Sequence, residues 1–357
     1  MSKKRFWIGF LFLILLICLF SSACGPEPEP EPEPDLPCVH IYHSPIIATS
    51  AETVTFTATV CDEGAGPVTI EMLVNAAIVQ TCNNLSTGDT CTYTGGPYGD
   101  YEGTTVSYLA NGTDSEGTRT SKGYYYFAIT DSNYNWGLNY MPVRRAGNSA
   151  DKIDLVFHHT ADYASFANFV SDVQSKVYSV YRQQAIVSDT ANMDKFNFFI
   201  YSKVATTNSC GTVHADANIE ISFRDVDAVL HVANMTDCTN LALTHFTAEG
   251  GNTKAFLHES GHGVFKMADE YDASPGCSTH YFEPANEPNI FDTQAGCQAE
   301  QTAKGRATSA CRKFTTCQGE WWGIHGASDN TVMQRGNVGD IWATEGEEHV
   351  DWEFDRY

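Results

Sequence analysis

The chain has 357 residues, 44 of them acidic and 21 basic, for a formal net charge of −23. A surface of that sign repels phosphate backbones and excludes nucleic acid as the expected partner. The length allows two or three domains, each with a core of its own.

Lys3, Lys4 and Arg5 come first, ahead of an apolar run from Phe6 to Phe20 and the small-residue exit "SSACG". A basic start, a short apolar stretch and a small-residue exit make a secretory signal over 1–23, and the run is too short to favour a spanning helix. Cys24, after Ser22 and Ala23, resembles the lipidated cysteine of bacterial lipoproteins. A diacylated Cys24 would tether the chain to a membrane; the alternative is a secreted protein cut nearby. "GPEPEPEPEPD", Gly25 to Asp35, alternates Pro with Glu, so it stiffens toward polyproline II and repels itself. Residues 24–35 therefore read as anchor and stalk. The expected location is a bacterial cell envelope, outside the cytoplasm.

Of twelve cysteines, Cys18 lies in the signal and Cys24 at the anchor. Four of the rest fall between 38 and 91 and six between 210 and 317, even sets that fit disulfides in an oxidising compartment. No pair has the CxxC spacing of a thiolate zinc site. Cys82 with Cys91 is a candidate local bridge.

Residues 36–130 read as all-β. "TVTFTATV" alternates Val54, Phe56, Ala58 and Val60 with threonines, and "VTIEMLV", "TTVSYLA" and "GYYYFAIT" follow between Gly-, Asn- and Asp-rich turns. Short strands at this spacing suggest an immunoglobulin-like sandwich. From 131 the texture becomes mixed α/β. Strands are expected at "KIDLVFHH", "FNFFIYSKV", "ANIEISF" and "VDAVLHVAN". Between the first two, Phe166, Phe169, Val170, Val173, Val177 and Val180 recur at helical spacing.

Lys254 to Asp272 reads "KAFLHESGHGVFKMADEYD". Residues four apart share a helix face, so His258 and His262 would point two imidazoles at one metal with Glu259 beside them. Two neutral nitrogens, a carboxylate and an open position suit zinc, which activates water while the adjacent glutamate takes its proton. The third ligand is open on spacing alone. Ala268 and Phe265 occupy the places where metzincins have a ligand and a turn glycine. Asp269, one residue on, leads; Glu270 is second, and Glu283, between Pro284 and Pro288 on one side and Pro275 on the other, is a distant third. Asp269, Glu270 and Asp272 also raise calcium as a competing, unsupported cation.

"HESGHGVFKMADEYD" resembles the HExGHxxxxLxDEY signature of the IgA-peptidase family of zinc metallopeptidases, with Met267 where the pattern prefers Leu. The likeness spans about 150 to 340, through "DLVFHHTADYASFANFVSDVQSKVYSVYR", "KFNFFIYS", "AVLHVAN" with Gly250 and Gly251, and "DNTVMQRG". It implies a metzincin-like α/β fold over 131–357, zinc, and endopeptidase activity on a protein or peptide substrate. His258 and His262 carry over as ligands, Glu259 as general base and Asp269 as third ligand, with Met333 in a turn beneath the metal. The expected whole is multidomain: a lipid-anchored chain with an all-β immunoglobulin-like sandwich followed by an α/β metzincin-like zinc metallopeptidase domain. The alternative is a non-catalytic binding or adhesive lipoprotein on a peptidase-like scaffold. His158, His159, His325 and His349 read as structural or solvated, and Tyr271 as packing the turn.

Overall fold

Strands that alternate one buried residue with one half-buried residue define the first half of the fold. The computed structural model describes residues 36–62, 64, 66–120, 123–136, 140–181, 184, 190–205, 226–240, 242–270, 280, 282–316, 319–324, 331, 333, 342 and 344–357. The expected signal, anchor and stalk, and "ANIEISF", lie outside the described residues.

β1 (Cys38–Ser44), β3 (Val54–Asp62) and β6 (Thr90–Gly95) form a three-stranded antiparallel sheet. β4 (Val68–Val74), β5 (Ala77–Leu85), β7 (Thr105–Thr113) and β9 (Tyr125–Thr130) belong to a second sheet, with the two-residue β2 (Ala48–Thr49) and β8 (Arg119–Thr120) at its flanks. The period-two burial of β3 and β4 turns one face of each sheet inward. Val39, Phe56, Val60, Ile70, Met72 and Phe127 meet there in a shared core. Disulfides Cys38–Cys61 and Cys82–Cys91 staple this region, the second being the local bridge read from spacing. A third joins Cys297 to Cys311.

The second sheet does not stop at residue 130. β10 (Tyr140–Arg145) pairs with β9 through Arg145 and Tyr126 and runs antiparallel to β12 (Phe196–Val204). Beyond it lie β11 (Ile153–His159), β13 (Val226–His231) and β15 (His245–Glu249), with β12, β11, β13 and β15 successively parallel. β14 (Cys238–Thr239) closes the edge antiparallel to β15. The order is β14-β15-β13-β11-β12-β10-β9-β7-β4-β5 within a twelve-stranded sheet. A separate hairpin pairs β16 (Arg312–Thr316) with β17 (Gly319–Gly323).

The expected fold class is corrected by this arrangement. Among the described residues strand outweighs helix, 41% to 22%, which does not fit an α/β metzincin domain. The physical reason is the pairing of β10. Its Pro142 cannot donate to a ladder and sits at a register shift between Pro142 and Arg144, so the strand has no clean alternation in sequence. Once paired, it carries one hydrogen-bonded sheet from the antiparallel half into the parallel half.

Helices cover the parallel strands. α1 (Phe166–Ser175) is capped by Ser165, whose side chain accepts from the Asn168 N–H, and continues as a π-turn over Lys176–Val180. Its Phe169, Val170, Val173, Val177 and Val180 are buried as their spacing requires. α2 (Thr190–Met193) is one turn, and α3 (Thr253–Gly263) carries the histidine pair. α4 (Gln294–Ala303) and α5 (Thr344–Phe354) follow; Lys304 after α4 reaches Glu348 of α5 at 2.7 Å. Phe157, Phe198, Phe246, Phe256, Phe265 and Trp342 fill the core among these elements.

Candidate metal centre

α3 begins where the Asn252 side chain accepts from the Ala255 N–H at 3.0 Å. Every residue from Ala255 to Gly263 is buried, so the helix is enclosed all round rather than amphipathic. Phe256 anchors it against Phe157 and Phe246. Gly261 is there for close approach: a Cβ would stand 2.5 Å from Met333 Sδ and 3.1 Å from Met267 Cε. Met333 thus lies directly against the helix turn between the two histidines.

The helix ends in a reversal that is built without glycine. Lys266 adopts a left-handed φ of 58°. Its N–H donates to His262 O at 3.0 Å, and Met267 N–H to Gly261 O at 2.9 Å, the crossed bonds of a helix C-terminus. The Lys266 ammonium donates to Gly263 O and Leu243 O. A cation on the last carbonyls opposes the cost of the left-handed residue. The chain then doubles back under α3, bringing Asp269 to the histidines.

Three donor atoms converge there. His258 Nε2 and His262 Nε2 are 3.3 Å apart, and Asp269 Oδ1 is 3.3 Å from the first and 3.2 Å from the second. All three residues are buried, and together they form a candidate metal-ligand group. His262 Nδ1 lies 2.7 Å from Met267 O, an oxygen that can only accept, so Nδ1 bears the proton. In the neutral ring Nε2 therefore presents a lone pair to a carboxylate oxygen. That lone pair and the carboxylate oxygen, 3.2 Å apart, repel unless a positive charge lies between them. Bonds of about 2.0–2.1 Å to a tetrahedral zinc would separate adjacent donor atoms by about 3.3 Å. The donor set fits a divalent metal that accepts imidazole and carboxylate.

The local field follows. Burial would raise the Asp269 carboxyl, but the two imidazoles outweigh it and hold the group well below the usual carboxylate range. Glu259 is pushed up by burial, against the pull of His258, His262 and the Thr239 hydroxyl. His280 stacks on His262 with ring centroids 4.4 Å apart, and burial beside His262 lowers its ring to about 4.

The other sequence candidates go elsewhere. Glu270 Oε1 accepts from Asn289 Nδ2 at 2.9 Å and Oε2 from Thr331 Oγ1 at 2.9 Å, while its N–H donates to Met333 O. Its carboxylate fastens the Met333 segment beneath α3 and stands outside the ligand group. Glu283 is also outside it, raised by burial and by Asp292. Asp269 and Glu270 thus face different partners, which removes the pair expected of a calcium cluster; Asp272, Tyr271 and His325 lie outside the described residues. His158 pairs with Asp227 at 2.7 Å, and His159 packs on Phe166 and Phe169. His349 Nε2 lies 2.6 Å from Phe265 O. A second group, Cys38, His40 and Cys61, has both sulfurs committed to a disulfide.

Sequence reasoning missed the residues that hold the site. Asn289 receives from Ala268 N–H at 3.0 Å and donates to Ala268 O at 2.8 Å, clamping the residue before Asp269. Thr239 donates to the Glu259 carboxylate. Neither belongs to a spaced motif, so no local pattern marks them. Compared with protein-family models and with curated proteins, the chain matches none.

Proposed function

We propose that this chain is a zinc-dependent endopeptidase, displayed outside the cytoplasm on a lipidated Cys24. The observation that carries the reading is the buried triangle of His258 Nε2, His262 Nε2 and Asp269 Oδ1, with edges of 3.2–3.3 Å. The motif likeness to the IgA-peptidase family supports the same chemistry, and the disulfides support an oxidising compartment. Among the described residues no helix is long and apolar enough to cross a membrane.

His258, His262 and Asp269 would hold the ion. Bound zinc supplies Lewis acidity and lowers the pKa of water from 15.7 to about 7. Glu259, one residue along the helix from His258, takes the proton of the attacking water and hands it to the departing amine nitrogen. Its burial favours this double duty, since a carboxyl raised above its ordinary range holds the accepted proton more readily than an exposed one. Met267 O fixes the His262 tautomer that leaves Nε2 available.

Purified protein is expected to hold about one zinc per chain and to cleave members of a peptide library. E259Q should keep the zinc and lose cleavage by about 100-fold or more, because only the proton acceptor is removed. A protein with zinc and no cleavage in either form would instead be the binding or adhesive lipoprotein. Cleavage undiminished in E259Q would remove Glu259 from the chemistry.

A further inference from the structure

β14 is two residues long, yet it is fixed from three sides. Cys238 is disulfide-bonded. The pairs Cys238–Thr247 and Thr239–Phe246 bind the strand to β15. Thr239 then reaches across to α3: its Oγ1 lies 2.7 Å from Glu259 Oε2 and 3.1 Å from the Glu259 backbone oxygen. Thr239 is 3% exposed and Glu259 7%.

A hydroxyl has one proton, and both of these oxygens accept. The carboxylate oxygen at 2.7 Å takes it in preference to the backbone oxygen at 3.1 Å, since the shorter O–H···O contact is the stronger. Among the described residues no other group donates to this carboxylate, so Oε2 is committed and Oε1 is not. A glutamate side chain with one oxygen pinned from a rigid strand loses most of its rotamer freedom. We propose that Thr239 is a positioning residue, which pins Oε2 of Glu259 so that Oε1 is the oxygen that receives the proton of the attacking water. This rests on the peptidase reading above and adds to it a residue outside the motif.

Two measurements on full-length protein test it. T239V keeps the shape and removes the donor; kcat should fall about 10- to 100-fold with KM within about threefold and zinc content unchanged. T239S restores the hydroxyl and should bring kcat back to within about threefold of wild type. Independently of turnover, infrared difference spectra of the metal-free protein should show a carboxylate band that is absent in E259Q and displaced in T239V. The proposal is overturned by wild-type kcat in T239V, by T239S no better than T239V, or by an unmoved band. Should wild type cleave nothing, the peptidase reading falls on its own and the infrared band still decides whether the tether exists.

Discussion

Asp269 and Glu270 are adjacent acids with opposite assignments, and substitution should separate them. D269A removes a donor from the buried triangle and leaves His258 and His262 without the charge that draws them together. Zinc affinity should drop by more than about 100-fold, since losing even an outer partner of a metal ligand costs about 10- to 100-fold. E270A should change zinc affinity by about tenfold or less. It should cost about 2 kcal/mol in denaturant unfolding, because Asn289 and Thr331 are left with buried donors unmet. The reverse order in a zinc titration would give the ligand role to Glu270. His258, Glu259 and His262 were legible because helical spacing is local. Asp269 was legible only as one of several acids within reach. Asn289 was not legible at all: its clamp on Ala268 spans 21 positions and follows from no period.

At the scale of elements, β1 shows both the strength and the limit of pattern reading. Val39, Ile41 and His43 occupy its inward positions, so a histidine stands where an apolar residue is expected. His43 stacks on Phe127 at 4.1 Å, its Nε2 faces Ile46 O at 3.2 Å, and its Nδ1 faces Tyr108 OH at 3.0 Å. Nε2 must donate to that carbonyl, so Nδ1 accepts from the tyrosine, and the neutral ring satisfies both. Burial lowers the ring to about 3, with Arg144 adding to the fall and the Ile46 carbonyl opposing it. An unfolded histidine titrates near 6.5. Between pH 6.5 and 3 the unfolded chain therefore holds the extra proton, and stability declines as pH falls through that window, by up to about 4–5 kcal/mol. Above pH 6.5 the group costs nothing. H43Q should flatten this limb of the stability–pH curve relative to wild type in urea unfolding; equal slopes would refute the account. β3 and β4 were readable because their alternation is unbroken, whereas β5, mostly exposed, and β10, interrupted by Pro142, carried no such signal.

Over the whole molecule, the sequence led to the wrong class because strand pairing is non-local. The parallel strands and the α1 stripe announce themselves within short windows. Nothing in a window tells that β10 joins β9 to β12. The same long sheet sets β5 and β14 at its two ends, so the disulfide on β5 and the candidate metal centre beside β14 should be energetically independent. C82A/C91A should lower stability by about 2–3 kcal/mol, the loop-closure value for a separation of 9, and leave zinc content unchanged. Loss of zinc in that variant would show coupling along the sheet.

Between β1 and β2 the chain sends Ile46 and Ile47, both fully buried, into the same core as Phe157, Phe169 and Phe256. The Ile46 N–H is received by Gln174 of α1 at 3.0 Å. A fragment cut free after residue 131 would therefore carry an open socket where two isoleucines belong, facing water beneath the helix that packs on the histidine-bearing one. Such a fragment should come out of cells as aggregate and regain solubility when residues 36–131 are supplied as a separate chain.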